Sequence, residues 1–439
     1  MALNEDTIFA PATALGGAIA VIRISGPRAA DAVALLSLDV TRTPRRMCVV
    51  RIGMDGETVD DGMAVFFAGP RSYTGEDMVE LHCHGGGQTV QRVLALLSAS
   101  GFRPAEAGEF TRRAFLNGKM DLAQAEAVMD VINAGAEQSL KAALAQLHGS
   151  VSREVGAVES LLLDALSGID AAIDYPEEAE ADAYAALPEQ LAAAQARIAA
   201  LIAGGRQGRV LRDGLRVAIL GRPNVGKSSL LNALLGRERA IVTGVAGTTR
   251  DVLDERTSMA GVPVRLIDTA GIREAADEAE RIGVDRAREA LQLSDVALVV
   301  LDGAEPLTDG DRALLAETET HCRIVLLNKC DLPQAAKTDV PAGALPVSAR
   351  TGEGLPALGE RIVELAVPNR ADAAYITNER HLHALERAAA ALDAAAGATE
   401  LDCVATDVRE ALHALGAITG TDVDESVIDR IFARFCVGK

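Results

Sequence analysis

The 439-residue sequence contains no tryptophan, and aromatic residues make up only 3% of it. Proteins that hold single-stranded nucleic acid by stacking its bases need aromatic faces, so composition offers no platform for that mode. Positive charge is also short: 43 Lys and Arg against 63 Asp and Glu leave a net charge of −20. Such a field repels nucleic acid, and any RNA contact must use a local basic patch or a partner's surface. The six cysteines, Cys48, Cys83, Cys322, Cys330, Cys403 and Cys436, form no C-x-x-C pair. Their scatter argues against a zinc ribbon or a disulfide framework and fits a reducing compartment. No apolar run approaches the roughly 18 residues a membrane span needs, and the opening MALNEDTIFA has no basic region ahead of an apolar stretch. The expectation is a cytoplasmic chain with no membrane segment.

Apolar residues make up 49% of the chain and charged ones 24%, ordinary for a globular protein. The length suggests about three domains, and three textures appear. Residues 1–118 mix β-branched runs (AIAVIRISG, MAVFFAG, DMVELHCHGG) with glycine turns, which predicts an α+β domain. Residues 119–212 are alanine-rich and helical, with Leu122, Ala125, Val128 and Ile132 on one stripe and Leu140, Leu144, Leu147 and Val151 on another. Residues 213–366 alternate helical segments with the apolar runs LRVAILG, VPVRLIDTAG, DVALVVLDG and RIVLLNKCD, which suit parallel strands covered on both faces. Helical texture returns over 367–439, where Val404, Val408, Leu412 and Leu415 keep helical spacing and Ile428, Ile431, Phe432 and Phe435 lead into the tail. Two alike helical stretches flanking an α/β unit predict one discontinuous helical domain with a second domain inserted in it. Two separate helical domains are the alternative.

GRPNVGKSS, Gly221 to Ser229, follows a predicted strand and precedes a predicted helix, the context a phosphate-binding loop requires. In Asn224, Val225, Gly226, Lys227, Ser228 and Ser229, glycine lets backbone N–H groups curl around phosphate. Lys227 neutralises the β and γ phosphates, and Ser228 ligates Mg²⁺. Alone, the loop could serve ATP or GTP. DTAG (Asp268, Thr269, Ala270, Gly271) ends another strand, where Asp268 can hold Mg²⁺ through water and the Gly271 N–H can meet the γ-phosphate. In NKCD, Asn328, Lys329 and Asp331 follow a third strand, and Asp331 can accept two hydrogen bonds from guanine, which adenine cannot donate in that pattern. Ser348, Ala349 and Arg350 supply backbone to the guanine O6, and Thr249 of Gly247–Thr249 is the expected switch threonine on Mg²⁺. Five motifs in order predict a P-loop, Ras-like GTPase domain.

Several residues stand out. Ras-type GTPases place a water-orienting glutamine where this chain has Ile272, so hydrolysis must be arranged otherwise; Glu274, Asp277, Glu278 and Glu280 follow, as water-positioning groups or as a solvated acidic face. The Asn224 side chain could ligate a monovalent cation that stabilises transition-state charge, or could serve a turn. His82 and His84 would share a strand face, as metal ligands would, but without further ligands at recognisable spacing a polar pocket or core packing is the better reading. Arg42, Arg45, Arg46, Arg112 and Arg113 form either an RNA-binding patch or scattered solvated charges, the second being favoured. The ending FARFCVGK fails as a prenylation box, since Gly438 and Lys439 occupy its last places. A tail with two aromatics instead reads as one to be buried, with Cys436 expected as a packed thiol.

With RISGPR, YTGEDMVELHCHGG, GEFTRRAFLNGKMDLAQAEAV, IDYPEE, DEAERIG and ITGTDVDESVIDRIFARFCVGK beside the nucleotide motifs, the whole chain resembles the tRNA modification GTPase family MnmE, also called TrmE. The resemblance implies a dimerising, folate-binding N-terminal domain and a two-piece helical domain around the G domain. It implies a homodimer that works with the FAD protein MnmG to install (carboxymethyl)aminomethyl at C5 of the wobble uridine of certain tRNAs. The one-carbon unit comes from methylene-tetrahydrofolate, and GTP hydrolysis is K⁺-dependent and coupled to G-domain dimerisation. By the resemblance, the first switch falls on Thr243, Gly244, Val245, Ala246, Gly247, Thr248 and Thr249. The K⁺ ligands fall on Asn224, Thr243, Val245 and Thr248, the general acid on Glu280, and the formyl-folate contacts on Arg23, Glu80, Lys119 and Lys439. The helix Ser426–Phe435 would dock the tail and deliver Lys439 to the folate pocket. Rival readings are a GTP-driven assembly switch, which would add a basic RNA module, and an autonomous folate-dependent methyltransferase.

Overall fold

The computed structural model describes residues 6–174, 176–237, 254–268, 288–334, 340–366 and 375–439. They fall into two compact units, one of residues 1–129 with 416–439 and the other of residues 130–415.

The first unit is built on a six-stranded sheet of β1 (Ile8–Pro11), β2 (Ile19–Ser25), β3 (Cys48–Met54), β4 (Glu57–Phe67), β5 (Met78–His84) and β6 (Arg103–Pro104), in the order β3-β4-β5-β2-β1-β6. Its pairings are antiparallel except β1 with β6. Alternation along the strands decides the two faces. Ala20, Ile22, Ile24, Val79, Leu81, Ala64, Phe66, Val50 and Ile52 form one core with Val90, Val93 and Leu97 of α1 (Gly87–Ala99). The intervening residues, Arg23, Glu80, His82 and Met63, belong to the opposite face.

There a small cluster of Ile8, Ala10, Met78, Ala105 and Phe110 seats α2 (Glu109–Leu116). Phe432 and Phe435, at and beyond the end of α12 (Glu425–Phe432), pack on Leu122 and Ala125, which open α3 (Leu122–Asn133). The helix thus ends three residues short of the expected Phe435. Gly108 makes this docking possible: at φ +67, a Cβ there would lie 2.7 Å from the Phe432 carbonyl oxygen and 2.9 Å from the Phe435 Cβ.

The second unit holds α4 (Glu137–Leu147), α5 (Ser150–Asp174), α6 (Pro176–Asp213), α10 (Glu379–Gly397) and α11 (Leu401–Thr419) around an α/β body. That body contains β7 (Leu215–Leu220), α7 (Lys227–Arg237), β8 (Asp254–Met259), β9 (Val262–Asp268), β10 (Val296–Asp302), α8 (Asp309–Glu317), β11 (Arg323–Asn328), β12 (Leu345–Pro346) and α9 (Leu355–Ala366). Its sheet order is β12-β11-β10-β7-β9-β8, parallel except for the β8–β9 hairpin. Every residue of β10 is buried, as expected for a strand covered on both faces. Strand order reverses at β7, which pairs with β9 on one side and β10 on the other; ligands bind at the carboxyl ends of strands at such a point.

One predicted stripe is wrong. Leu140, Leu144, Leu147 and Val151 do not share a helix, because the chain turns at Gly149 (φ +79) between α4 and α5. Leu140 is 39% exposed, while α4 buries Ser139, Ala142, Ala143 and Gln146. Small residues are needed there: the Ser139 hydroxyl donates to the Leu211 carbonyl, and Ala142 sits in the sheet core beside Val210 and Val264. The Gln138 N–H also donates to the Gly261 carbonyl at the tip of the β8–β9 hairpin, at 2.9 Å.

Candidate functional site

The buried strand β7 runs into Gly221, and Asn224 (φ +66) and Gly226 (φ +96) turn the following loop through left-handed backbone before α7 starts at Lys227. The first amides of a helix lack intrahelical partners, so a helix that starts where this loop ends favours an anion there. Lys227 Nζ lies over the loop, donating to the carbonyls of Gly221 at 2.7 Å and Arg222 at 2.9 Å. Val225 is buried beneath it, and Ser228 and Ser229 are exposed at the mouth. Asn224 is exposed in a conformation asparagine tolerates well, so its turn role is visible in the backbone.

The other end of the site is stitched to this loop by Asn328. Its Nδ2 donates to the Val225 carbonyl at 2.7 Å, and its Oδ1 accepts from the Ala349 N–H at 3.1 Å. Asp331 accepts from the Ser348 hydroxyl at 2.7 Å and pairs with Arg350 at 2.7 Å. The Ser348 bond, with Arg350 behind it, holds the Asp331 carboxyl below its usual range, so it is an anion at neutral pH. Arg350 is 76% exposed, a partner that an incoming base edge can displace. Lys329 Nζ pairs with Asp302 at 2.6 Å. Asp302 was not expected from the motifs, although an acid ending the apolar run VALVVLD was a usable signal.

Asp268 ends β9 opposite Ile219. Thr243 to Thr249, Thr269 to Gly271, Ile272, Glu274, Asp277, Glu278 and Glu280 lie outside the described residues.

A second cluster stands on the first unit's sheet. Arg23 and Glu80 are cross-strand partners whose side chains meet at 2.8 Å, both about four-fifths buried. The Arg23 guanidinium lies 5.4 Å from the centre of the Tyr73 ring, and the Tyr73 hydroxyl bonds Thr111 at 2.9 Å. The tail reaches this place. Val437 bridges to Ala107, and Gly438 (φ +93) passes so close to the Pro11 carbonyl that no Cβ could fit. Burial and the Arg23 charge push the Lys439 ammonium below its usual range, opposed by Cys436 and Glu80. Lys439 is thus within the field of both Arg23 and Glu80. Lys119 donates to the Pro70 carbonyl at 2.9 Å, on the loop that carries Tyr73.

Other expectations are corrected. Cys436 is exposed, not packed, because Phe432 and Phe435 take the buried positions of the tail. Arg113 is not solvated: its side chain is 1% exposed and meets Asp6 at 2.7 Å, Glu109 at 3.0 Å and Glu76 at 3.3 Å. Arg112 pairs with Asp429 at 2.8 Å. His82 and His84 do share a face, yet each has its own carboxylate, Glu80 at 3.7 Å and Asp60 at 2.8 Å. Among the described residues no group of three or more His, Cys, Asp or Glu could hold a metal ion, and no helix is long and apolar enough to cross a membrane.

Comparison with known proteins finds relatives over the whole chain. The family described as MnmE helical domain matches residues 122–436, and the family described as GTP-binding protein TrmE N-terminus matches residues 7–119. The tRNA modification GTPase MnmE of Chloroflexus aurantiacus is 46% identical over 460 aligned positions, covering 99% of this chain and 100% of its own. That of a Roseiflexus species is 44% identical, with 100% of both chains covered. That of Streptococcus thermophilus is 41% identical, covering 99% of this chain and 98% of its own.

Proposed function

Since this chain belongs to the tRNA modification GTPase MnmE (TrmE) family, a GTP hydrolase of tRNA modification, we propose that its two clusters divide that work between nucleotide turnover and one-carbon supply. The observation that carries the proposal is the seating of the tail from the far end of the sequence, Val437 on Ala107 and Gly438 against the Pro11 carbonyl, on the strand that pairs with the one carrying Arg23.

In the nucleotide site, Lys227 gives up its loop carbonyls for β and γ phosphate oxygens, a charge-assisted exchange that strengthens both bonds. Asp331 accepts from the guanine edge while Arg350 swings out, and the Ala349 region faces O6. Ser228 and Thr249 hold Mg²⁺. Asn224, with Thr243, Val245 and Thr248, holds K⁺, and Glu280 orients the attacking water in place of the glutamine that Ile272 lacks. Hydrolysis is coupled to meeting of the two G domains of a homodimer.

In the N-terminal site, Arg23, Lys119 and Lys439 suit an anionic glutamyl tail and polar ring edges, and Glu80 suits an aminopyrimidine edge. The donor set fits: two cations and a carboxylate converge on a sheet face beside a tyrosine ring. An arriving anion offsets the burial and the Arg23 charge that push the Lys439 ammonium down, which favours binding. A tetrahydrofolate bound there supplies the one-carbon unit. With the FAD protein MnmG, the pair installs (carboxymethyl)aminomethyl at C5 of wobble uridine in the cytoplasm.

The test is nucleoside analysis of tRNA after incubation with this protein, its FAD partner, methylene-tetrahydrofolate and GTP. Modified uridine should form, and Lys439→Ala should abolish it while GTP turnover persists. Undiminished modification by that variant would remove Lys439 from the folate site.

A further inference from the structure

Lys329 is one of five residues other than glycine with positive φ among the described residues, at +65°. Unlike asparagine, lysine gains no local side-chain bond that favours this left-handed region. Something must hold it there, and the turn has a reason to be kept. It follows Asn328, which joins the phosphate loop to Ala349, and precedes Asp331, which faces Ser348. The restraint visible in the structure is Asp302. This residue ends β10 directly across from Asn328, is 5% exposed, and takes the Lys329 ammonium on one oxygen at 2.6 Å and the Ala304 N–H on the other at 2.9 Å. The next residue, Gly303, donates its N–H to the Asn328 carbonyl at 2.7 Å, so the ends of β10 and β11 are tied twice.

We propose that Asp302 is a positioning residue for guanine recognition, acting through Lys329 to fix the turn that aims Asn328 and Asp331. Burial alone pushes the Asp302 carboxyl up. The Lys329 bond, the Ala304 N–H and the nearby charge of Arg222 outweigh burial and keep it an anion. Arg222 belongs to the phosphate loop, so Asp302 lies in the field of both ends of the nucleotide site. Anchoring the ammonium also fixes the four-carbon stem of Lys329, an apolar surface suited to one face of a purine. The inference rests on the reading of Asn328 to Asp331 as the base-reading segment. Asp331→Asn tests that reading separately, since it should shift preference from guanine toward xanthine nucleotides.

The test compares Asp302→Asn, Lys329→Met and the double variant in the full chain, using fluorescent GDP with unlabelled pyrophosphate as competitor. Each single variant should weaken GDP about tenfold, and the double variant should be no more than about twofold worse, because coupled residues are non-additive. Pyrophosphate, which needs only the phosphate loop, should bind as before. Unchanged GDP affinity, equal loss of pyrophosphate, or multiplied losses in the double variant would each overturn the proposal. Should Asp302→Asn fail to fold, Lys329→Met tests the pair from its other end, and undiminished GDP binding there overturns it equally.

Discussion

At the scale of single residues, Arg113 departs furthest from expectation. A guanidinium taken out of water costs several kcal/mol unless its charge and donors are met, and here Asp6, Glu76 and Glu109 meet them. Burial pushes the Glu109 carboxyl up, but its bonds to Arg103, the Glu106 N–H and Arg113 carry it below the ordinary range. Asp6 is likewise lowered by Arg103 and Arg113 against a burial that raises it. A depressed carboxylate contributes stability that is complete above its unfolded value and vanishes as pH falls through the folded one. The first unit should therefore hold its melting temperature down to about pH 5 and lose it steeply below about pH 4, as a thermal melt series over pH will show. Arg113→Met takes a buried cation from Glu76 and from Glu109, which keeps Arg103, and should cost about 3 kcal/mol in urea unfolding. Nothing in GEFTRRAF marks its second arginine as fully buried and its first as only partly so. Partners 37 and 107 residues away decide it.

At the scale of elements, the sequence was a good guide to strands and a poor one to α4. Apolar runs such as VALVVLD announce a strand covered on both faces wherever they occur. The nucleotide motifs were legible because backbone geometry around phosphate leaves few residue choices. A helix that buries Ser139, Ala142, Ala143 and Gln146 gives no such signal. Its close approach selects small side chains, and its leucines then mislead. The tail was legible in part: Phe432 and Phe435 announced burial, but Gly438 owes its place to the Pro11 carbonyl, which is distant in sequence. Gly438→Ala has no room for its Cβ and imposes that residue on φ +93, so the tail should leave its seat. The expected result is at least tenfold weaker binding of 5-formyl-tetrahydrofolate by calorimetry, with GTP turnover unchanged. Unaltered folate binding would separate the tail from the ligand.

At the scale of the whole molecule, a net charge of −20 repels RNA, so any RNA contact must use a local basic patch or a partner's surface. Replacing K⁺ by Na⁺ should lower kcat for GTP at least tenfold, and Glu280→Ala should abolish turnover while leaving GTP affinity within about threefold. Stopped-flow binding beside phosphate release separates the two. Equal rates in both salts would reduce Asn224 to its turn, and parallel loss of affinity and turnover would make Glu280 structural.

The hairpin of β8 and β9 begins just after one switch motif and ends in the aspartate of the other, yet its tip is fastened to the Gln138 amide of α4. A strand cannot slide along its own axis with one end pinned. Any axial pull that a Mg²⁺ held through water would exert on Asp268 must therefore be taken up by the left-handed turn at Ala260 and Gly261, or be felt as tension on a helix that lies outside the nucleotide fold.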